Sequence, residues 1–362
     1  MASLITEGRA GAPGPHAGIA GAGLLGRLLA WWLAGRGWRV TVFDPAAGPQ
    51  ARGAAGWTAA GMLSPYAELE CADTRVAALG VRSLQLWQDI VARLPGEVDF
   101  RRSGSLLVAH AADLGAARRL IDLLQAKAID EACPQPLAPA ALRALEPAIH
   151  GPAHAWLLEQ EGQIHTVQAM QALAEGATQR GVSWCWGRSV RSVLPGRLVC
   201  DDGEHRYDWV FDVRGVGARP ELPVRGVRGE IFWLHAPGVP LGRPVRLLHP
   251  RWRVYLVPRP GDLVVVGASE IESEDRSPVS LRSTLALLSA AHSVVPELAE
   301  ARIVHSEANL RPALPDNLPG LQSSAGLTRI NGLFRHGWLI APALVEQAVA
   351  GIEQPQHQEL LS

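Results

Sequence analysis

The stretch Ala17-Gly18-Ile19-Ala20-Gly21-Ala22-Gly23-Leu24-Leu25-Gly26, answered by an acidic residue at Asp44, decides the fold. Ala17 to Ala20 reads as a short apolar strand, and Leu24 to Ala34 as an apolar helix stopped by Gly35 and Gly37. Trp38 to Phe43 carries β-formers in alternation and reads as a second strand closing on Asp44. A G-x-G-x-x-G turn between strand and helix, with an acid about 20 residues on, is a dinucleotide-binding fingerprint. Gly21 permits the tight turn, Gly23 lets bare backbone approach a pyrophosphate, and Gly26 lets the helix pack close to the strand. The helix N-terminus offers free N–H groups and a positive partial charge to the phosphates. Asp44 can accept hydrogen bonds from ribose hydroxyls. The turn by itself serves FAD and NAD alike.

Outward from this unit, apolar residues recur at helical spacing over Arg75 to Leu94, Leu114 to Lys127, Val167 to Arg180 and Ser280 to Ser293. Strands read at Leu106 to Val108, Val182 to Trp186, around Val190 and Leu198, and at Tyr207 to Phe211. Between Val227 and Gly267 the pattern turns to β, with Glu230 to Leu234, Arg253 to Val257 and Leu263 to Val266 separated by Pro/Gly turns. A last helix is predicted over Ala343 to Ala350, stopped by Gly351. Alternating β and α at both ends around a β-rich middle predicts an α/β chain: a Rossmann-like domain with an inserted antiparallel β-rich (α+β) substrate domain. The segmentation that follows is 17–90, 145–220 and 300–362 for the nucleotide domain, 91–144 and 221–299 for the substrate domain, and 1–16 for a flexible tail.

Composition narrows the function by exclusion. The chain has 362 residues, a length that suggests two domains, with 48% hydrophobic and 19% charged residues and a formal net charge of −1. That balance gives no electrostatic case for nucleic acid or a membrane surface. Cys71, Cys133, Cys185 and Cys200 are scattered without a C-x-x-C pair, which reads as reduced thiols and neither a disulfide framework nor a zinc site. Residues 1–16 lack a cationic start and apolar run, and no charge-free apolar stretch reaches about 18 residues, so a cytoplasmic location is expected. The parts of a hydrolase or metalloenzyme, G-x-S-x-G or H-E-x-x-H, are absent from the sequence, and no metal is expected.

Six further segments, in order, carry a resemblance. They are Gly56-Trp57-Thr58-Ala59-Ala60-Gly61-Met62-Leu63, Val227-Arg228-Gly229-Glu230, Val254-Tyr255-Leu256-Val257-Pro258-Arg259, Val266-Gly267-Ala268-Ser269, Leu310-Arg311-Pro312-Ala313-Leu314-Pro315-Asp316, and Gly332-Leu333-Phe334-Arg335-His336-Gly337-Trp338-Leu339-Ile340-Ala341-Pro342. Together they resemble the glycine oxidase and D-amino acid oxidase group of FAD-dependent amine oxidoreductases, in particular the glycine oxidases of bacterial thiamine synthesis. The resemblance implies non-covalently bound FAD on an FAD-binding Rossmann-like domain. It places the cofactor on Gly21, Gly23, Leu24, Leu25, Gly26, Asp44 and Pro45, on Ala55, Gly56, Ala60, Gly61 and Met62 under the flavin, and on Val190 and Gly215 beside the adenosine. The last cofactor segment is Leu333, Phe334, Arg335, His336, Gly337, Trp338 and Leu339. A planar guanidinium holds a carboxylate through two parallel hydrogen bonds, and the resemblance makes Arg311, in a Pro-bounded loop, that clamp. Tyr255 matches the substrate-side tyrosine and Arg335 a position against both flavin and substrate. Glu270 departs from the apolar residue usual there: facing the pocket it favours a cationic substrate group, and the opposite reading turns it to solvent.

The chemistry so implied is oxidation of the C–N bond of a small amine or amino acid by hydride transfer to FAD, followed by imine hydrolysis and reoxidation by O2. The alternative is a dehydrogenase for a D-amino acid or sarcosine-like larger substrate with another electron acceptor. An NAD enzyme, a flavin carrier without catalysis, and a homo-oligomer stay open at this level.

Overall fold

The computed structural model describes residues 14–128, 133–250 and 253–353. Up to residue 13 the expected tail lies outside the described residues, and His16 already belongs to the first strand. The N-terminal fingerprint folds as read: strand His16–Ala20, helix Leu24–Ala34, strand Arg39–Asp44. These strands join a six-stranded sheet in the order Gly320–Ser324, Leu327–Asn331, Trp209–Asp212, His16–Ala20, Arg39–Asp44, Ser183–Trp186. All neighbours in it are parallel except the terminal hairpin Gly320–Ser324 with Leu327–Asn331. Alternation of side chains splits its core between two faces. Ile19, Val42 and Phe211 pack under the helices, whereas Ala20, Phe43 and Val210 pack against Val193, Leu198 and Cys200 of a three-stranded sheet on the other side.

The second sheet has eight strands in the order Arg302–Ala313, Arg225–His235, Leu263–Gly267, Arg253–Arg259, Val245–Leu248, Ser105–Ala109, His154–Leu158, Gln135–Leu137. It is antiparallel but for one pair, Val245–Leu248 with Ser105–Ala109. Two of its strands, His154–Leu158 and Arg302–Ala313, come from stretches that the sequence reading gave to the nucleotide domain; register with Ser105–Ala109 and Arg225–His235 draws them here. Its register lines up Leu107, Arg246, Tyr255, Gly267 and Ile231 as a row across one face. Gly229, two residues back from Ile231, pairs with Asn309, and Arg311, two beyond Asn309, is its diagonal neighbour on the same face.

Two expectations fail locally. Arg311 lies inside the strand Arg302–Ala313, not in a loop. Pro312 does not end that strand because it is the edge of the sheet, where a missing N–H costs little. The last helix spans Gly337–Glu353, six residues earlier than predicted and through both Pro342 and Gly351. Pro342 cannot donate to the carbonyl of Trp338, and the buried Trp87 indole fills that vacancy with Nε1 2.8 Å from the Trp338 oxygen. The Ala343 N–H donates to Ser83 Oγ at 3.1 Å, so a neighbouring helix repairs the break. No helix among the described residues is long and apolar enough to cross a membrane.

Candidate active site

The glycine-rich turn shows which glycines the protein itself demands. Gly21 has φ +104°, and a Cβ there would meet the Val213 carbonyl at 2.7 Å. At Gly26 a Cβ would overlap the Gly21 carbonyl, whose carbon lies 2.9 Å away. Gly23 differs: a Cβ there would find only Ala54 Cβ, at 3.6 Å. Protein packing does not require glycine at 23, and the bare backbone faces a cavity of about 1460 Å³. That is the cradle a diphosphate needs beside the start of helix Leu24–Ala34. Asp44 locks the turn, accepting from Ala22 N at 2.6 Å and Ala46 N at 2.8 Å. Buried Arg27 braces it from behind through the carbonyls of Ala22, Met170 and Pro49. Burial lowers its pKa to about 10.

From the turn, a strap runs along the cavity over residues 54–62. Its carbonyls are pinned one by one. Asn309 Nδ2 donates to Ala54 O at 3.2 Å, Trp338 Nε1 to Gly56 O at 3.0 Å, and Thr166 Oγ1 to Ala59 O at 2.9 Å. The buried Arg259 takes Ala60 O and, at 2.9 Å, Ile164 O. At Gly61 (φ +68°) a Cβ would meet Thr166 Cγ2 at 2.8 Å, so strap and support touch through bare backbone. The small residues Ala59, Ala60 and Gly61 leave a flat, immobilised wall suited to a planar ring system. Opposite, Gly337 to Leu339 form the first turn of the last helix, whose positive end faces the same cavity. Phe334 beside it holds φ +47°, a conformation that favours glycine, with its N–H on Pro312 O at 2.9 Å.

The sheet row closes the far end. Arg311 Nη1 donates to Ser269 O at 3.0 Å, and the guanidinium makes no ion pair among the described residues. It lies directly over Gly229, where a Cβ would stand 2.5 Å from Cζ and 2.6 Å from Nη1. Gly267 makes the same allowance for Tyr255, whose hydroxyl would be 2.7 Å from a Cβ there. Burial pushes the Tyr255 phenol pKa up and that of Arg311 down.

A chain of charges flanks this pair. Buried Glu68 accepts from Arg246 Nη2 at 2.6 Å, lies 3.1 Å from Arg335 Nε, and has His336 Nδ1 at 3.2 Å, off the hydrogen-bond axis. Burial alone would raise the Glu68 carboxyl, but Arg335 and Arg246 hold it well below the usual carboxylate range. Arg335 Nη1 reaches Glu270 at 3.4 Å. Glu270 lines the cavity with its side chain 45% exposed.

Of the residues read from the sequence, all line this one cavity except Gly26, which packs helix on strand behind it. The sequence reading missed Glu68, Arg246 and Asn309, which belong to no local motif, and gave Gly229 no role. Glycine in a strand interior is the signal that could have found Gly229, since it marks close approach of another group. Away from the cavity, Cys200, Asp202 and His205 bring ligand atoms within 4.8 Å of one another, although the sequence suggested no such grouping; Arg188 already pairs with Asp202.

Comparison with known proteins agrees with this geometry. A family model described as DAO, FAD dependent oxidoreductase, matches residues 16–349. The thiamine biosynthesis oxidoreductase ThiO assigned in Rhizobium etli is 37% identical over 343 residues, covering 94% of this chain and 97% of its own. A glycine oxidase of Geobacillus kaustophilus is 27% identical over 355 residues, covering 90% and 89%. The crystal structure of glycine oxidase from Geobacillus kaustophilus superposes with a TM-score of 0.82 at 24% identity over 95% of this chain and 96% of that one. FAD is therefore the dinucleotide, and NAD is set aside. The chain belongs to the DAO family of FAD-dependent oxidoreductases, as an enzyme acting on amines or amino acids.

Proposed function

We propose that this chain oxidises the C–N bond of a small α-amino acid, glycine first, as a ThiO-type glycine oxidase with O2 as electron acceptor. The observation that carries the reading is Arg311: a guanidinium in the cavity wall with no ion pair among the described residues, seated over a glycine and beside Tyr255. Such a group lacks only an anion, and a substrate carboxylate supplies one in bidentate geometry. Relatives named for glycine oxidation and for thiamine biosynthesis support the choice of substrate.

FAD, when bound, would supply a two-electron acceptor for the α-C–H of the substrate. The residues that would hold it are the Gly21–Leu25 turn, the 54–62 strap and the first turn of the last helix. Arg311 and Tyr255 fix the carboxylate, which leaves the α-carbon facing the strap. Arg335, held by Glu68, sits at the same end and keeps that wall rigid. The ammonium form of the substrate gives its proton to water before reaction, and the amine lone pair then provides the electronic push, so no side-chain base is needed. The product imine hydrolyses in water to the oxoacid and ammonia.

The test is an anaerobic screen of glycine, sarcosine and D-alanine for bleaching of the bound flavin, followed by air. Glycine should bleach it, and air should restore colour with one peroxide per turnover. Bleaching by the larger amines alone, with no reoxidation by air, would replace this reading with the dehydrogenase one.

A further inference from the structure

Resting on the amino acid reading above, we infer that Glu270 is a specificity-determining residue: it masks Arg335 and restricts the site to substrates with a single carboxylate. The cations and anions at the substrate end form one alternating chain, Arg246–Glu68–Arg335–Glu270, with contacts of 2.6, 3.1 and 3.4 Å. Its two positive and two negative groups sum to zero. Arg253, at the mouth, is paired separately with Glu70 at 3.4 Å. Among the described residues, Arg311 is then the one guanidinium of these four without a carboxylate partner, and one such anchor takes one anion.

The chain is lopsided in a way that makes Glu270 the control point. Glu68 is 8% exposed and already shared between Arg246 and Arg335, so it neutralises only one of the two. Glu270 is 45% exposed and, among the described residues, pairs with Arg335 alone. An ion pair this exposed contributes little to folding. Its effect falls on the field inside the cavity, where Arg335 is only 19% exposed. Glu270 also follows Ser269, whose carbonyl orients Arg311, so mask and clamp are carried on adjacent residues. Without the Glu270 charge, Arg335 presents an unpaired edge at the cavity mouth and the site holds two cationic anchors. A dicarboxylic amine then gains a partner for its second carboxylate.

The experiment uses the FAD-loaded protein and two unreactive ligands that differ by one carboxylate, methoxyacetate and diglycolate, with Kd read from perturbation of the visible flavin spectrum. In the native protein methoxyacetate should bind more tightly. Glu270→Gln, with Glu270→Ala as a second variant, should shift the Kd ratio about tenfold toward diglycolate, and iminodiacetate should gain on glycine in kcat/KM by a similar factor, mainly through KM. In an Arg335→Gln background the same change at 270 should move the ratio less than twofold. A ratio that fails to move in either Glu270 variant, or that moves equally in the Arg335→Gln background, overturns the inference. The ligand ratio requires no turnover: a shifted ratio with no bleaching by glycine sinks the substrate reading alone, and bleaching with an unmoved ratio sinks the Glu270 reading alone.

Discussion

Replacing Gly229 by alanine isolates the clamp from the fold. The added Cβ would stand 2.5 Å from the Cζ of Arg311, and ordinary van der Waals contact begins near 3.4 Å, so the guanidinium must retreat by about 0.9 Å. The colliding atoms are the far end of a flexible side chain on an edge strand, so the backbone can stay in place. A displacement of that size breaks the geometry of a bidentate carboxylate pair. Losing one charge-assisted hydrogen bond costs about 1.5–3 kcal/mol, which is roughly ten- to hundredfold in affinity. Steady-state peroxide assays on FAD-loaded Gly229→Ala should therefore show KM for glycine raised at least tenfold, with the flavin spectrum unchanged. Arg311→Ala should show the same rise, and the double variant should be no worse than Arg311→Ala alone, because both changes act on one group. A KM within twofold of the native value in Gly229→Ala would refute the placement of Arg311.

Gly23→Val should fold normally, since the position is open to the cavity, yet purify without FAD; full occupancy would remove the diphosphate from that turn. Gly26→Ala should do the reverse, lowering the melting temperature of the apoprotein by an amount equivalent to about 2 kcal/mol or more, because helix and strand must separate. Trp87→Phe should cost about 1–3 kcal/mol in a denaturant melt by stranding the Trp338 carbonyl beside Pro342. Burial lowers the His165 pKa to about 4 from 6.5. The unfolded chain therefore takes up that proton first, and stability should fall as pH drops from about 6.5 to 4, by roughly 2–3 kcal/mol. His165→Asn should flatten that slope when melts are compared across the range.

What was legible in the sequence was what local geometry writes into residue type. Gly21, Gly23 and Gly26 with Asp44 announced the nucleotide unit because a tight turn, a bare cradle and a close helix each demand glycine. The strap was legible for a similar reason, as its small residues stand for flatness. The partners that make the strap rigid were not: Asn309 lies 255 positions from Ala54, and Arg259 lies 199 from Ala60. Glu68 and Arg246, 178 positions apart, meet only because sheet register brings the strand Val245–Leu248 beside Tyr255. The two proline misreadings share one cause. Pro312 and Pro342 are local breakers, and whether a break occurs depends on what lies next to them: a free sheet edge in one case, the Trp87 indole in the other.

A crystal structure of the protein with FAD and glycolate, an unreactive analogue of the amino acid, tests the central claim most directly. The account predicts the diphosphate over Gly23 at the start of helix Leu24–Ala34, the flavin against Ala59–Gly61, and the glycolate carboxylate bidentate on Arg311. A carboxylate bound elsewhere, with Arg311 still turned to the Ser269 carbonyl, would contradict it.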